Sequence, residues 1–236
     1  MHVVGDIVRH ACYCGSRNLY ADMATATKAL LRNSDVGRVW WLTEDADVGF
    51  ELPPEVTVID VSGQEFFRPD GPNMGSRYTY LAMMRAALCH VLPADVHMVL
   101  SMDCDTLAIR DVSEAWDTPM DGCYFAAAVE RHRCYEGLLY TNTGVALYDL
   151  DMLRGGKADE VIDCLNRRRY TWVEQDAMNY LCQGRIAEMD GNYNACDWTE
   201  HPDPRLLHFA GHADWRERPE LWAYRDMTWD EARRGR

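Results

Sequence analysis

The sequence predicts an α/β fold in which a mixed, mostly parallel sheet is flanked by helices on both faces. Short runs rich in β-branched, aromatic and other apolar residues alternate along the chain with stretches of helical period, which is typical of such folds. One run, Met98–Met102, is almost entirely apolar, as expected for a strand buried on both faces of a parallel sheet. The chain has 236 residues, of which 47% are hydrophobic, so it can form a sizeable core.

The N-terminal half predicts four strands and two helices. The first three strands are expected at 7–14, 39–42 and 56–59, and the fourth at 98–102. A helix is expected between the first two strands, since apolar residues recur there at helical spacing, at Leu19, Met23, Ala26 and Leu30. Residues 62–76 contain two prolines and three glycines and predict a loop, and residues 80–92 predict the second helix.

The C-terminal half continues the same alternation. Strands are expected at 124–129 and 144–148, and helices at 158–168 and 174–183. Neither an internal repeat nor a linker is visible, so we expect one domain over 1–236, with 219–236 as a short aromatic and basic tail.

Composition excludes several classes of protein. A net charge of −14 disfavours bulk nucleic-acid binding. No apolar run reaches about 18 residues, so we expect no transmembrane segment. Residues 1–6 lack the pattern of a secretory signal, and the nine cysteines are scattered, which favours reduced thiols in the cytoplasm. Peripheral membrane contact through the tail is the weaker alternative, because anionic lipid would repel the acidic body.

Two carboxylates, Asp103 and Asp105, follow the apolar strand directly. Side chains two residues apart at a strand end are expected to point to the same side. Paired carboxylate oxygens are hard ligands suited to Mg²⁺ or Mn²⁺, and ligands of such sheets bind beyond the carboxyl ends of the strands. An isolated D-x-D is nevertheless more often a solvated turn, so the prediction needs support from the rest of the chain.

Three later segments add polar groups in a defined order. Asn142 precedes the strand predicted at 144–148, Glu174 and Gln175 begin a helix, and His208 ends an apolar stretch within the segment 205–211. Each has an ordinary structural explanation, such as a loop end, the favourable N-terminus of a helix dipole, or a hydrogen-bonded core histidine.

Taken together, and in this order, these landmarks resemble the retaining GT-A glycosyltransferases of family 8, the galactosyltransferase and glycogenin group. The resemblance covers roughly residues 7–215. It implies a single GT-A domain with a Rossmann-like nucleotide-binding half. It also implies transfer of a hexose, glucose or galactose, from a nucleoside diphosphate donor to an unknown acceptor. A UDP-sugar is the favoured donor, and Mn²⁺ or Mg²⁺ the expected cofactor.

The resemblance also assigns roles to individual residues. It implies metal ligation by Asp103, Asp105 and His208. It places Gln175 beneath the anomeric carbon, Asn142 and Glu174 on the donor sugar, and Glu130 near the acceptor. The remaining donor and phosphate contacts that it implies are Asn18, Arg85, Cys104, Gly211 and His212.

The chain departs from the family pattern at four places. Ser16 and Arg17 stand where an acidic pair is usual, which leaves the base preference open. The lysine expected after Gly211 is absent, and His212 or Arg216 is the candidate replacement. Glu174 replaces an aspartate, which can change the sugar that fits. The segment between Glu130 and Asn142 is short and indicates a small or exposed acceptor pocket.

Two alternatives remain open from sequence alone. A phosphatase of the haloacid dehalogenase type also ends an apolar strand with D-x-D, but it requires a later lysine motif that Lys28 and Lys157 do not provide. A non-catalytic nucleotide-sugar binder would be compatible with the altered base-binding strand and the missing lysine.

Overall fold

A seven-stranded sheet organises the computed structural model, which describes residues 8–76, 78–131 and 137–234. The strands, in chain order, are β1 His10–Cys14, β2 Arg38–Thr43, β3 Val56–Asp60, β4 Met98–Met102, β5 Thr106–Ala108, β6 Phe125–Val129, β7 Thr141–Asp149, β8 Ile186–Glu188 and β9 Leu206–His208. The main sheet has the order β3-β2-β1-β4-β7-β6-β8, and β5 pairs with β9 in a small antiparallel sheet. Within the main sheet only β7 is antiparallel to its neighbours, so the prediction of a mixed, mostly parallel sheet is confirmed.

Helices cover both faces of this sheet. They are α1 Tyr20–Asn33, α2 Tyr80–Met83, α3 Leu88–Val91, α4 Leu150–Met152, α5 Ala158–Arg167, α6 Val173–Leu181, α7 Trp222–Arg225 and α8 Trp229–Arg233. Buried side chains form one cluster between the sheet and α2, α3, α5 and α6, and another between the sheet and α1. Because helices pack on both faces, the central strands are buried on both sides and are mostly apolar.

One helical prediction needs correction in detail, and one further segment has irregular geometry. The helix expected over 80–92 is divided into α2 and α3 by a 3₁₀ segment, Met84–Ala87. Between α4 and α5 the chain is kinked over Leu153–Lys157, where Gly156 leaves helical geometry with a φ of 101°. Only glycine adopts this conformation readily.

All six predicted strands are present, while β5, β8 and β9 were not predicted. Each of these three has only three residues, which is too short for a periodic signal. Residues 62–76 form a loop, as expected. The predicted start of the first strand at residue 7, the expectation for residues 1–6, and the part of the 130–142 segment at 132–136 lie outside the described residues.

The C-terminal tail packs on α1. Lys28 Nζ donates to the Arg225 carbonyl at 3.3 Å and the Arg32 guanidinium donates to the Glu231 carbonyl at 3.1 Å. The Trp229 indole N–H donates to the Glu51 carbonyl at 2.9 Å. Within the described residues, every helix is too short or too polar to cross a bilayer.

Candidate active site

The two aspartates of the D-x-D motif lie in the turn between β4 and β5. β4 ends at Met102, and the turn brings Asp103 and Asp105 together, so strand alternation is not what makes their side chains converge. His208 reaches the same place because it ends β9, where it pairs with Thr106 of β5. Its Nε2 lies 3.5 Å from Asp103 Oδ2 and 3.4 Å from Asp105 Oδ1. Asp103, Asp105 and His208 thus offer ligand atoms within 4.8 Å of one another.

A buried asparagine fixes the orientation of the His208 ring. His208 Nδ1 lies 2.8 Å from Asn194 Oδ1. The Asn194 amide nitrogen donates to the carbonyl and the Oδ1 of Asn142, each at 3.1 Å, which identifies Asn194 Oδ1 as the acceptor for the histidine. Nδ1 therefore carries a proton in the neutral ring. Nε2 is buried and has no hydrogen-bond partner among the described residues, so it is left as a free ligand atom facing the two carboxylates.

A bulge in β7 forms one wall of the site. The register between β6 and β7 shifts between Ala127 and Ala128, and the extra β7 residues include Gly144. The Gly144 carbonyl accepts from the Asp103 N–H at 2.7 Å. A Cβ on Gly144 would overlap the His208 ring and lie 2.8 Å from Asp103 Oδ2. Only glycine therefore leaves this space open, and the donor set beside it is one that a divalent cation fits.

Opposite charges stabilise one another in this cluster. Burial opposes ionisation of Asp103, but Arg85 and His208 hold its pKa below the ordinary value. Burial alone would lower the pKa of His208, whereas the carboxylates of Asp105 and Asp103 raise it well above its ordinary value. A divalent cation that binds Nε2 would have to displace any proton held there.

Beneath the site, Arg85 joins two carboxylates. Its guanidinium lies 2.7 Å from Asp103 Oδ1 and 3.0 Å from Glu174 Oε2, and it also donates to the Thr143 carbonyl at 2.9 Å. Although burial opposes its charge, Asp103 and Glu174 raise the pKa of Arg85 above the ordinary value. Glu174 is fully buried, and its other oxygen accepts from the Tyr148 hydroxyl at 2.9 Å. This network fixes the position of Asp103.

Gln175 is held by three hydrogen bonds at the start of α6. Its Oε1 accepts from the Thr143 N–H at 3.0 Å, and its Nε2 donates to Glu130 Oε2 and to the Tyr140 hydroxyl, both at 3.0 Å. Val173, the first residue of α6, has a φ of 36°, the single positive value among the described non-glycine residues. Such a conformation is costly for a β-branched residue and is typical of functional sites.

The structure brings most of the predicted site residues together. Asn142, Glu174 and Gln175 surround the bulge in β7, and Glu130 is reached through Gln175. Cys104 points away, because its thiol donates to the Cys14 carbonyl at 3.4 Å within the core.

Gly211, His212 and Asn18, the other predicted donor contacts, contact residues outside this network. Gly211 has a φ of 79° and packs against the Trp198 ring. The imidazole of His212 lies 3.3 Å from Asp197. Asn18 is exposed and its Oδ1 accepts from the Ser16 hydroxyl at 2.7 Å.

A cavity of about 560 Å³ opens near Asn18, at the carboxyl ends of β1, β2 and β3. Arg17, Glu44, Asp45 and Asp60 line part of it, and Arg17 forms an ion pair with Asp45. Ligands of open α/β sheets bind at this end of the strands.

Four buried residues of the site were not predicted from sequence: Tyr140, Thr143, Tyr148 and Asn194. Tyr148 was predicted only as part of a strand, and Thr143 only as a neighbour of Asn142. Asn194 lies between short irregular segments, and nothing in its sequence context separates it from a loop asparagine. Their roles depend on contacts between residues far apart in the chain.

Comparison with known proteins agrees with this geometry. Residues 51–213, more than half of the chain, match the model of glycosyl transferase family 8. The chain therefore belongs to this family and is a glycosyltransferase, which sets aside the phosphatase alternative. No significant match to a curated protein is found.

Solved structures show the same fold. The galactosyltransferase LgtC in complex with donor and acceptor sugar analogs is 19% identical, with a TM-score of 0.69 over 95% of this chain and 95% of that one. The glycosyltransferase GlyE of Streptococcus pneumoniae TIGR4 is 17% identical, with a TM-score of 0.71 over 96% of this chain and 62% of that one. Mouse xyloside xylosyltransferase 1 is 16% identical, with a TM-score of 0.62 over 88% of this chain and 98% of that one. The GT-A fold predicted from sequence is thus confirmed.

Proposed function

We propose that this chain is a metal-dependent, retaining glycosyltransferase that moves glucose or galactose from a nucleoside diphosphate, with UDP favoured, to an acceptor hydroxyl. The observation that carries the proposal is the buried, unpartnered Nε2 of His208 facing Asp103 and Asp105. A buried nitrogen without a hydrogen-bond partner is rare in folded proteins, and a bound cation would satisfy it. Mn²⁺ fits a ligand set of two carboxylates and one imidazole, and Mg²⁺ is the alternative.

These three residues would hold the cation, and Arg85 and Asn194 would hold the ligands in place. When bound, a divalent cation neutralises negative charge on the diphosphate of a nucleotide-sugar. We assign the remaining phosphate contacts to the rim of the site. Arg216 is held by Asp22 at 2.7 Å and lies near enough to Asp105 for their charges to interact. It is therefore our candidate for the missing lysine, together with His212.

The residues beneath the sugar favour a front-face reaction. A double displacement requires a carboxylate nucleophile under the anomeric carbon. Position 175 has an amide whose atoms are all engaged, and the neighbouring Glu174 is buried against Arg85. In the proposed reaction the bond from the anomeric carbon to the phosphate oxygen breaks, and the acceptor oxygen bonds from the same face. The acceptor proton passes to the departing diphosphate.

We assign Asn142 to the donor sugar and Glu130 to the acceptor side of Gln175. Asn142 Oδ1 accepts from the Gly144 N–H at 3.0 Å, so this amide is fixed beside the proposed cation site. Glu174 is proposed to act on the sugar through Arg85, whose position it determines. A direct contact between Glu174 and the sugar stays a prediction.

A donor screen tests this proposal. The full chain is incubated with UDP-glucose, UDP-galactose and the corresponding ADP- and GDP-sugars, with Mn²⁺ or with chelator, and release of nucleoside diphosphate is measured. We expect Mn²⁺-dependent release from a UDP-hexose. Asp105→Asn should reduce it by about 10²- to 10³-fold, as the loss of a main electrostatic stabiliser does.

Asp121→Asn, at an exposed aspartate away from the site, is the matched control and should retain the activity. Equal activity of the Asp105→Asn and control proteins would refute the metal-dependent reaction. Thermal stabilisation by a nucleotide-sugar without release of the diphosphate, across a panel of acceptors, would favour the non-catalytic alternative.

A further inference from the structure

A second cavity lies on the outer side of α6, about 370 Å³ in volume. Its walls come from the segment before β7, the loop 168–171 and the outer face of α6. The volume is in the range of small-molecule pockets and suits one or two sugar rings. None of the roles assigned above uses this cavity.

The residues that line this cavity carry a net positive charge. Arg168 and Arg169 line it, and within the described part of the chain neither forms an ion pair with a carboxylate. The carboxylate of Asp176, which also lines it, is already satisfied. One oxygen accepts from the Tyr140 hydroxyl at 2.6 Å, and the other accepts from the backbone N–H groups of Thr171 and Trp172 at 3.1 and 2.9 Å. Two unpaired arginines are notable in a chain of net charge −14.

Aromatic rings form the remaining wall. The Arg168 guanidinium lies 5.9 Å from the centre of the Tyr170 ring and 5.6 Å from that of Tyr180. Tyr180 is 56% exposed. An exposed ring offers apolar area to one face of a sugar, and the guanidinium beside it can bind phosphate or carboxylate through two parallel hydrogen bonds.

Two side chains, those of Tyr140 and Gln175, separate the cavity from the reaction centre. Tyr140 lines it, and the same hydroxyl that donates to Asp176 accepts from Gln175 Nε2 at 3.0 Å. The opposite end of the Gln175 amide contacts Thr143, beside Gly144 and the cation site. The cavity therefore lies on the far side of Gln175 from the proposed donor diphosphate.

We propose that this cavity is a saccharide-binding subsite outside the reaction centre, for saccharides that carry an anionic group, either phosphate or carboxylate. Arg168 and Arg169 bind the anionic group, and Tyr180 packs against the sugar ring.

Calorimetric titration of the full chain tests the subsite with four probes: glucose, glucose 6-phosphate, glucuronic acid and inorganic phosphate. We expect at least one anionic sugar to bind about tenfold or more tightly than glucose, as hydrogen bonds to charged groups allow. The phosphate and carboxylate sugars separate the two sources of negative charge. Arg168→Ala/Arg169→Ala should abolish the preference, and Tyr180→Ala should weaken binding of the sugars but not of phosphate.

Arg167→Ala is the matched control, because Arg167 is exposed, precedes the pair in sequence and forms its own ion pair with Asp163. It should retain the full preference. Both cavity arginines are exposed, so the double variant should unfold at the temperature of the wild type. A preference that survives in the double variant, or inorganic phosphate that binds as tightly as glucose 6-phosphate, would overturn the subsite.

Release of UDP from a UDP-hexose, measured in the same preparations without acceptor, separates the two proposals. Release without any preference for anionic sugars refutes the subsite alone. A preference without release leaves the subsite in place as a binding site and refutes the proposed function.

Discussion

Gly144→Ala places a single methyl group inside the proposed cation site. The new Cβ would overlap the His208 ring and lie 2.8 Å from Asp103 Oδ2 and 2.9 Å from Asn142 Oδ1. Gly144 has a backbone conformation open to alanine, since it is not among the glycines with positive φ. The whole effect therefore comes from crowding, which costs about 1–3 kcal/mol in a packed interior.

Much of that crowding acts on the ligands themselves. Displacing His208 and Asp103 should reduce the affinity for Mn²⁺ by about 10- to 100-fold, the range seen when supports of metal ligands are disturbed. Mn²⁺ titration by calorimetry measures this loss, and urea unfolding measures the change in stability.

Gly63→Ala is the control for this experiment, because a Cβ at Gly63 meets nothing within 4 Å. It should bind Mn²⁺ as the wild type does. If Gly144→Ala also retained wild-type affinity to within about twofold, a difference below about 0.5 kcal/mol, the cation would not lie between His208 and Asp103.

Further predictions concern the residues around the site and the sheet. Asn194→Ala removes the oxygen that orients the third metal ligand and should cost about 10- to 100-fold in Mn²⁺ affinity by calorimetry, whereas Asn194→Asp should retain more of it. Glu174→Ala leaves the buried charge of Arg85 with one carboxylate fewer and should lower the free energy of unfolding by about 3–5 kcal/mol in a urea titration; Glu174→Gln should cost less. His10 accepts from the Trp40 indole at 3.1 Å, and burial lowers its pKa below the ordinary value of 6.5. The unfolded chain therefore binds more protons, so this contribution to stability is complete above pH 6.5 and is lost as the pH falls through the folded-state pKa. His10→Gln should flatten the decline in unfolding free energy between about pH 7 and pH 5; an unchanged slope would contradict this role.

Six of the seven strands of the main sheet could be predicted, because they carry a local pattern, whereas β8 has only three residues and carries none. Apolar or β-branched runs of four or more residues and the apolar stripe of α1 identify these elements without knowledge of their partners. β5 and β9 could not be predicted in this way. Each has three residues, and about a hundred residues separate them in sequence, so their pairing depends on the folded sheet.

The same distinction applies to the site. Asp103 and Asp105 could be identified from their place after a buried strand, although a turn, and not strand alternation, makes them converge. Resemblance to the family indicated His208 as a metal ligand. Its position beside the two aspartates, however, depends on the pairing of β5 with β9. The burial of Glu174 against Arg85 was also not foreseeable, because charge patterns in sequence do not reveal which pairs are removed from water.

Direct measurement of Mn²⁺ binding by electron paramagnetic resonance tests the central interpretation, a cation held by the D-x-D turn and the β9 histidine. Wild type, Asp105→Asn, His208→Ala and the Asp121→Asn control are titrated with and without UDP. We expect one tight site in the wild type and the control, strengthened by UDP, and its loss in the two site variants. Undiminished binding in Asp105→Asn and His208→Ala would contradict the proposed metal centre.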